Sequence, residues 1–195
     1  MLDSKAEQVR CNIVLREESK IMNSPESKLQ INAVPLTRAA YEPYGKVIAA
    51  DDELPFKLAN MGTAKRYNFL CEVENRRPAE AKLNLCVFRC SPLAALPLEM
   101  KLLEKHQRST QAFIPMANNA KYLAIVCLGA DKPELSTVAA FLVEGAAGVS
   151  YYPGVWHYPM TALETAIDFS CLVYEDGSAD DCIIAKLEQP VFIQA

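Results

Sequence analysis

Apolar positions in this chain come in short runs that alternate with polar ones, and turn residues punctuate them at intervals of about a dozen positions. Residues 31–34 (Ile-Asn-Ala-Val) alternate as a half-buried strand does. The same texture predicts strands over 46–49, 65–73, 82–89, 97–103, 111–115, 122–127, 138–142, 149–152, 160–163, 168–173 and 182–187. Ser91-Pro92, Asn118-Asn119, Gly129, Glu144-Gly145, Pro153-Gly154 and Asp176-Gly177 mark turns between them. Helical periods are scarce; residues 37–45 read as one short helix, capped by Thr37 and closed by Gly45. Many short strands and few helices predict a mainly β fold, an antiparallel β-barrel or jelly roll with a few short helices.

Before residue 31 the pattern is different. Residues 1–30 are mixed-charge with scattered apolar positions, an extension expected to be partly helical or disordered, with one weakly amphipathic helix over 4–20. Residues 31–195 form the single expected domain. Half of the chain is apolar and the net charge is −4, which argues against nucleic acid or an anionic membrane surface as a partner. No apolar run approaches the roughly 20 residues of a membrane-spanning helix, and no secretory signal is visible. Seven cysteines, an odd number without a Cys-x-x-Cys pair, fit reduced thiols and a cytoplasmic location. Gly-rich dinucleotide and phosphate loops do not occur.

The chain has two histidines, His106 and His157, and both sit in dense local contexts. Imidazole moves protons near neutral pH and is the commonest metal ligand. Glu104-x-His106, followed by Gln111, and Gly148…Pro153-Gly154-x-x-His157 are similar to degenerate forms of the two metal-binding motifs of cupins, a jelly-roll superfamily. In a strand, Glu104 and His106 point to one side. A hairpin partner is expected to bring Gln111 beside them, and the Pro-Gly turn to deliver His157 from a second hairpin to the same barrel mouth.

Longer blocks carry a more specific resemblance. Pro35-Leu36-Thr37…Tyr44-Gly45, Leu103-Glu104-Lys105-His106…Thr110-Gln111-Ala112-Phe113-Ile114-Pro115-Met116, Asp131-Lys132-Pro133-Glu134-Leu135-Ser136-Thr137 and Gly154-Val155-Trp156-His157-Tyr158-Pro159-Met160 occur in order. With these the chain, from about Val34 to Cys182, resembles the ureidoglycolate lyases, formerly called ureidoglycolate hydrolases. That resemblance implies a cupin-like β-barrel, a homodimer, and cleavage of (S)-ureidoglycolate to glyoxylate and urea in purine (allantoin) catabolism. Some bacterial members carry an arginine shortly before Trp-His, where this chain has Pro153-Gly154, and some have His-His-Pro in place of His157-Tyr158-Pro159.

Ureidoglycolate is a carbinolamine. Its cleavage needs a base for the hydroxyl proton, an acid for the departing urea nitrogen, and donors for the carboxylate. His106 and His157 are expected to supply the proton transfers or to hold a metal, with Gln111 orienting substrate or ligand and Glu104 as a further ligand or imidazole partner. The cofactor is either none or a divalent metal such as nickel, bound by Glu104, His106, Gln111 and His157. Arg66 or Arg89 is expected to clamp the carboxylate. Trp156 is a candidate substrate contact or else a core or dimer-interface residue. Two rival functions are an amidohydrolase releasing ammonia from the same substrate and a non-catalytic barrel that binds a small acid.

Overall fold

The computed structural model describes residues 28–77 and 81–195. The helix expected over 4–20 lies outside them. Fifteen strands are found among the described residues, in chain order β1 (Gln30–Asn32), β2 (Val34–Pro35), β3 (Val47–Ile48), β4 (Lys57–Ala59), β5 (Ala64–Arg66), β6 (Lys82–Cys90), β7 (Leu98–Lys105), β8 (Gln111–Pro115), β9 (Lys121–Cys127), β10 (Ala139–Glu144), β11 (Gly148–Tyr151), β12 (Trp156–His157), β13 (Thr161–Ala162), β14 (Ile167–Glu175) and β15 (Ile183–Gln194). One α-helical turn, α1 (Arg38–Tyr41), is capped as expected: the Thr37 hydroxyl accepts from the Ala40 N–H at 3.2 Å. No described helix is long and apolar enough to cross a membrane.

The strands form two facing walls and a small ribbon. The larger sheet runs β1-β15-β7-β12-β9-β10-β2, with β13 added beside β9; the smaller runs β3-β11-β8-β14-β6; β4 and β5 pair alone. All pairings are antiparallel except β1 with β15 and β2 with β10. In the larger sheet β1 comes round to lie near β10, so that wall curls almost into a closed barrel. This is the mainly β, mainly antiparallel barrel that the patterning predicts.

Alternation along β9 divides the interior in two. Tyr122, Ala124 and Val126 face a core between the walls, together with Phe113, Phe141, Val149, Tyr151 and Phe169. Leu123, Ile125 and Cys127 face a second core inside the curled sheet, with Leu98, Met100, Leu103, Trp156 and Ile193. Leu98 and Met100 reach that second core from even positions and Leu103 from an odd one, so β7 changes phase between them. The partner strand β15 loses register at the same place, between Lys186 and Val191. Because of this slip, Leu103 and Lys105 face the second core while Glu104 turns toward the space between the walls.

Two expectations need correction. The strand expected over 65–73 stops at Arg66, because Phe69 holds a left-handed φ of 57° and the chain after Arg66 pairs with no sheet until Asn75 bridges Ser109. β7 and β8 are not hairpin neighbours: the turn after His106 carries the chain from one wall to the other, so Gln111 comes from the opposite sheet.

Candidate active site

Glu104, His106 and His157 meet between the walls. His157 on β12 is the direct cross-strand partner of Glu104 on β7, so the two side chains share a face. His106 follows the end of β7, two positions on. The turn before β12 is tied to it: Gly154, at φ 91°, donates its N–H to the His106 carbonyl at 3.0 Å. One donor atom from each of the three residues lies within 4.8 Å of the others. His157 Nε2 stands 3.7 Å from Glu104 Oε1, and the Cys182 thiol lies 3.8 Å from Glu104 Oε2.

The opposite wall completes the group. Gln111 pairs with Tyr151 across β8 and β11, and Tyr151 stacks on His157 with ring centres 4.0 Å apart and planes 6° from parallel. The His106 ring also lies near, its centre 5.6 Å from that of His157 and its plane tilted by 16°. Tyr151 is itself anchored, its hydroxyl donating to Met160 Sδ at 3.2 Å. The stack on Tyr151 therefore sets the plane of the His157 ring.

The hydrogen bonds also fix its tautomer. His157 Nδ1 is 3.0 Å from the Val155 carbonyl, which can only accept, so Nδ1 carries the proton and Nε2 presents a lone pair. Burial drives the His157 pKa down to about 3, with the neighbouring His106 adding to the effect. Burial also lowers that of His106, against the carbonyl and charges around it. Glu104 moves the other way, raised by burial, with the Cys182 thiol pulling back. The group at neutral pH thus consists of two neutral imidazoles and a carboxyl that holds its proton more tightly than usual. His157 Nε2, His106 Nδ1 and Gln111 Oε1 are all buried without a hydrogen-bond partner among the described residues. Leaving such atoms unsatisfied is costly, and two of the three residues, His106 and His157, belong to the cluster with Glu104, which calls for a ligand.

Other residues expected at the site lie elsewhere. Trp156 alternates away from His157 into the second core, where its indole N–H donates to the Ala130 carbonyl at 3.3 Å and Lys105 Nζ sits 4.5 Å above its ring. Arg66 is exposed on the β4–β5 ribbon. Arg89 is exposed on the outer face of β6 and binds Asp168 through two 2.8 Å hydrogen bonds. Within one chain neither arginine is brought to the histidines. A cleft of about 830 Å³ is also separate. It runs along the outer side of β11, past Ser150 and Tyr152, and its Arg38 is already bound to the carbonyls of Val47 and Ala49.

Two residues at the site have no part in the sequence motifs. Tyr151 could have been found, since alternation from Val149 places both inside. Arg77 could not. It follows a segment where Asn75 bridges Ser109 and Arg76 donates its N–H to the Arg108 carbonyl, beside the stretch that leaves His106. Its guanidinium is 3% exposed and bound to Asp176 and Asp181.

The family model described as ureidoglycolate lyase matches residues 28–194. The chain is 36% identical over 159 residues to proteins named ureidoglycolate lyase from Salmonella enteritidis (strain P125109) and Salmonella typhimurium (strain LT2), covering 82% of this chain and 95% of each relative. Among solved structures, RmlC from Streptococcus suis in complex with dTDP-D-xylose aligns with a TM-score of 0.34 and 14% identity, over 52% of this chain and 47% of that one. With the matched residues running through both histidine motifs, the chain belongs to the ureidoglycolate lyase family.

Proposed function

We propose that the protein is a carbon–nitrogen lyase that cleaves (S)-ureidoglycolate to glyoxylate and urea, as part of purine (allantoin) catabolism. The observation that carries this reading is the cluster of Glu104, His106 and His157, in which His106 Nδ1 and His157 Nε2 are buried and unpartnered among the described residues, in a member of this family. A site with one carboxylate base among several neutral acceptors suits the reaction, which moves one proton from oxygen to nitrogen and is otherwise an internal elimination.

In that scheme Glu104 takes the carbinol hydroxyl proton. The C–O bond becomes the aldehyde carbonyl as the C–N bond breaks, and its electron pair leaves with the urea nitrogen. Glu104 then returns the proton to that nitrogen, so atoms and charge balance without water. Its raised pKa brings the carboxyl toward the range in which acid and base forms are both accessible. A pKa of about 3 makes His157 a poor proton acceptor but a good neutral ligand, because protons compete little for Nε2. The donor set fits a first-row divalent ion such as nickel, with the two imidazoles and the Gln111 carbonyl as neutral ligands and Glu104 beside them. Such an ion would polarise the carbinol oxygen and leave net positive charge to meet the substrate anion.

The outer face of β6 supports a homodimer. Leu83, Leu85 and Val87 stand in a row on an edge strand and are 49%, 68% and 60% exposed, a surface that single chains rarely leave uncovered. The six described cysteines are all free, which fits a reducing cytoplasm.

Product analysis tests the reaction. Purified protein given (S)-ureidoglycolate is expected to release glyoxylate and urea in equal amounts. Ammonia in place of urea would identify an amidohydrolase. Chelation is expected to lower both the rate and the thermal midpoint, and an added divalent ion to restore them. Full activity and an unchanged midpoint after verified metal removal would exclude the metal role.

A further inference from the structure

The substrate carries a carboxylate, and neither Arg66 nor Arg89 meets the histidines within a chain. Lys105 stands between Glu104 and His106 in sequence, but it points into the other core and donates to the Ala130 carbonyl at 2.7 Å. Arg77 is different. Its side chain is 3% exposed, Nε lies 3.4 Å from Asp176 Oδ2, and Nη2 lies 2.5 Å from Asp181 Oδ1. Nη1 is buried and has no partner among the described residues. A buried guanidinium with an unused edge is expensive, since hydrogen bonds to charged groups are the ones whose loss costs most.

The contacts around Arg77 lead to the site. Asp181 precedes Cys182, whose thiol reaches Glu104. The backbone of Asp181 and the charge of Arg77 both act on His106. The two aspartates do not serve Arg77 alone: Asp181 Oδ2 accepts from the Gly177 N–H at 2.7 Å and Asp176 Oδ1 from the Ser178 N–H at 2.9 Å. Backbone amides therefore share their charge, and the pair acts as a bracket that aligns the guanidinium.

We infer that Arg77 is the carboxylate-binding residue of this site, with Asp176 and Asp181 fixing two of its nitrogens and Nη1 receiving the carboxylate of the α-hydroxy acid. This rests on the lyase reading for the identity of the acid, but not for the binding of a small carboxylate beside His106. A planar guanidinium held on two sides offers the third in a set direction, which a lysine could not do.

The test uses the full chain as wild type, R77M, R77K, D181N, R66M and R89M. Turnover of (S)-ureidoglycolate and calorimetric binding of glyoxylate and its neutral amide, glyoxylamide, are measured on each. R77M is expected to raise KM and weaken glyoxylate binding on the order of 10- to 100-fold, while glyoxylamide binding and kcat change far less. R77K is expected to fall between R77M and wild type, and D181N, which loosens the bracket but keeps the cation, to retain the preference for the acid. If R77M does not fold, by its thermal midpoint, R77K against D181N decides. Equal losses for acid and amide would overturn the inference, as would the loss of acid preference in D181N, or a loss that falls on R66M or R89M instead. Wild type that binds glyoxylate through Arg77 yet makes none from ureidoglycolate would remove the lyase reading and leave this inference standing. Turnover with an unchanged KM in R77M would do the reverse.

Discussion

At the scale of single residues, His157 shows how burial and one backbone carbonyl decide chemistry. The Val155 carbonyl chooses the tautomer, the Tyr151 ring sets the plane, and burial keeps the imidazole neutral. The same burial links the residue to stability. An unfolded histidine takes up a proton near its ordinary value, whereas His157 in the fold resists protonation down to about 3. Between those values the unfolded state binds more protons, so stability is lost as pH falls through that window. His106, also lowered, acts in the same direction, while Glu104, raised, opposes them above the ordinary carboxyl range. Metal-free protein is therefore expected to lose up to about 1.4 kcal/mol per pH unit from His157 below about pH 6.5, with His106 adding in the same direction. Chemical denaturation across pH 4–8 measures it, with H157A expected to show a shallower slope. The four site residues read as metal-capable from their spacing, Glu104, His106, Gln111 and His157, rise from both walls of one interior. Arg77 was illegible because its role depends on Asp176 and Asp181, about a hundred positions later, and no local pattern links them.

At the scale of elements, strands with clean alternation were legible. β8 runs over the expected residues, and β6, β9, β10, β11 and β14 agree to within about two at either end. The failures have local causes. Val191-Phe192-Ile193, the half of β15 beyond its register break, is cut off in sequence by Glu188-Gln189-Pro190. β12 is two residues long and is a strand only because β7 and β9 flank it. β4 gains its pairing from β5 alone. The hairpin expected for β7 and β8 failed because alternation says which residues share a face but not which sheet a turn leads into. Gly45 has a role that sequence framed only as a helix end. A Cβ there would run into the Ser150 carbonyl on β11, where Ser150 N–H bonds the Lys46 carbonyl and the Ser150 hydroxyl accepts from the Lys46 N–H. Gly45→Ala is expected to destabilise the fold by about 3 kcal/mol or more, seen as a drop in the denaturation midpoint. Because β11 also carries Tyr151, the same change should lower lyase turnover. A stability within 0.5 kcal/mol of wild type, the range of neutral surface changes, would contradict this close approach.

At the scale of the whole molecule, the fold separates structural from chemical interior. The curled sheet closes on Trp156, Leu103 and Ile193 and supplies a dry core. The space between the walls collects the ionisable groups; alternation sends neighbours Lys105 and Glu104 to different compartments, and the phase change in β7 decides which takes which. The apolar row on β6 faces outward from the second wall. L85E combined with V87E is expected to shift the protein from dimer to monomer in size-exclusion chromatography with light scattering, with the barrel still folded by circular dichroism. A wild-type monomer at micromolar concentration would contradict the dimer.

If the histidine–glutamate cluster between the walls performs the cleavage, H157A loses it. The decisive measurement is the rate of glyoxylate release from (S)-ureidoglycolate by H157A beside wild type, both shown to be folded. A loss on the order of 10²- to 10⁴-fold is expected, with urea falling in step. Turnover near that of wild type from folded H157A would contradict it and move the chemistry away from this cluster.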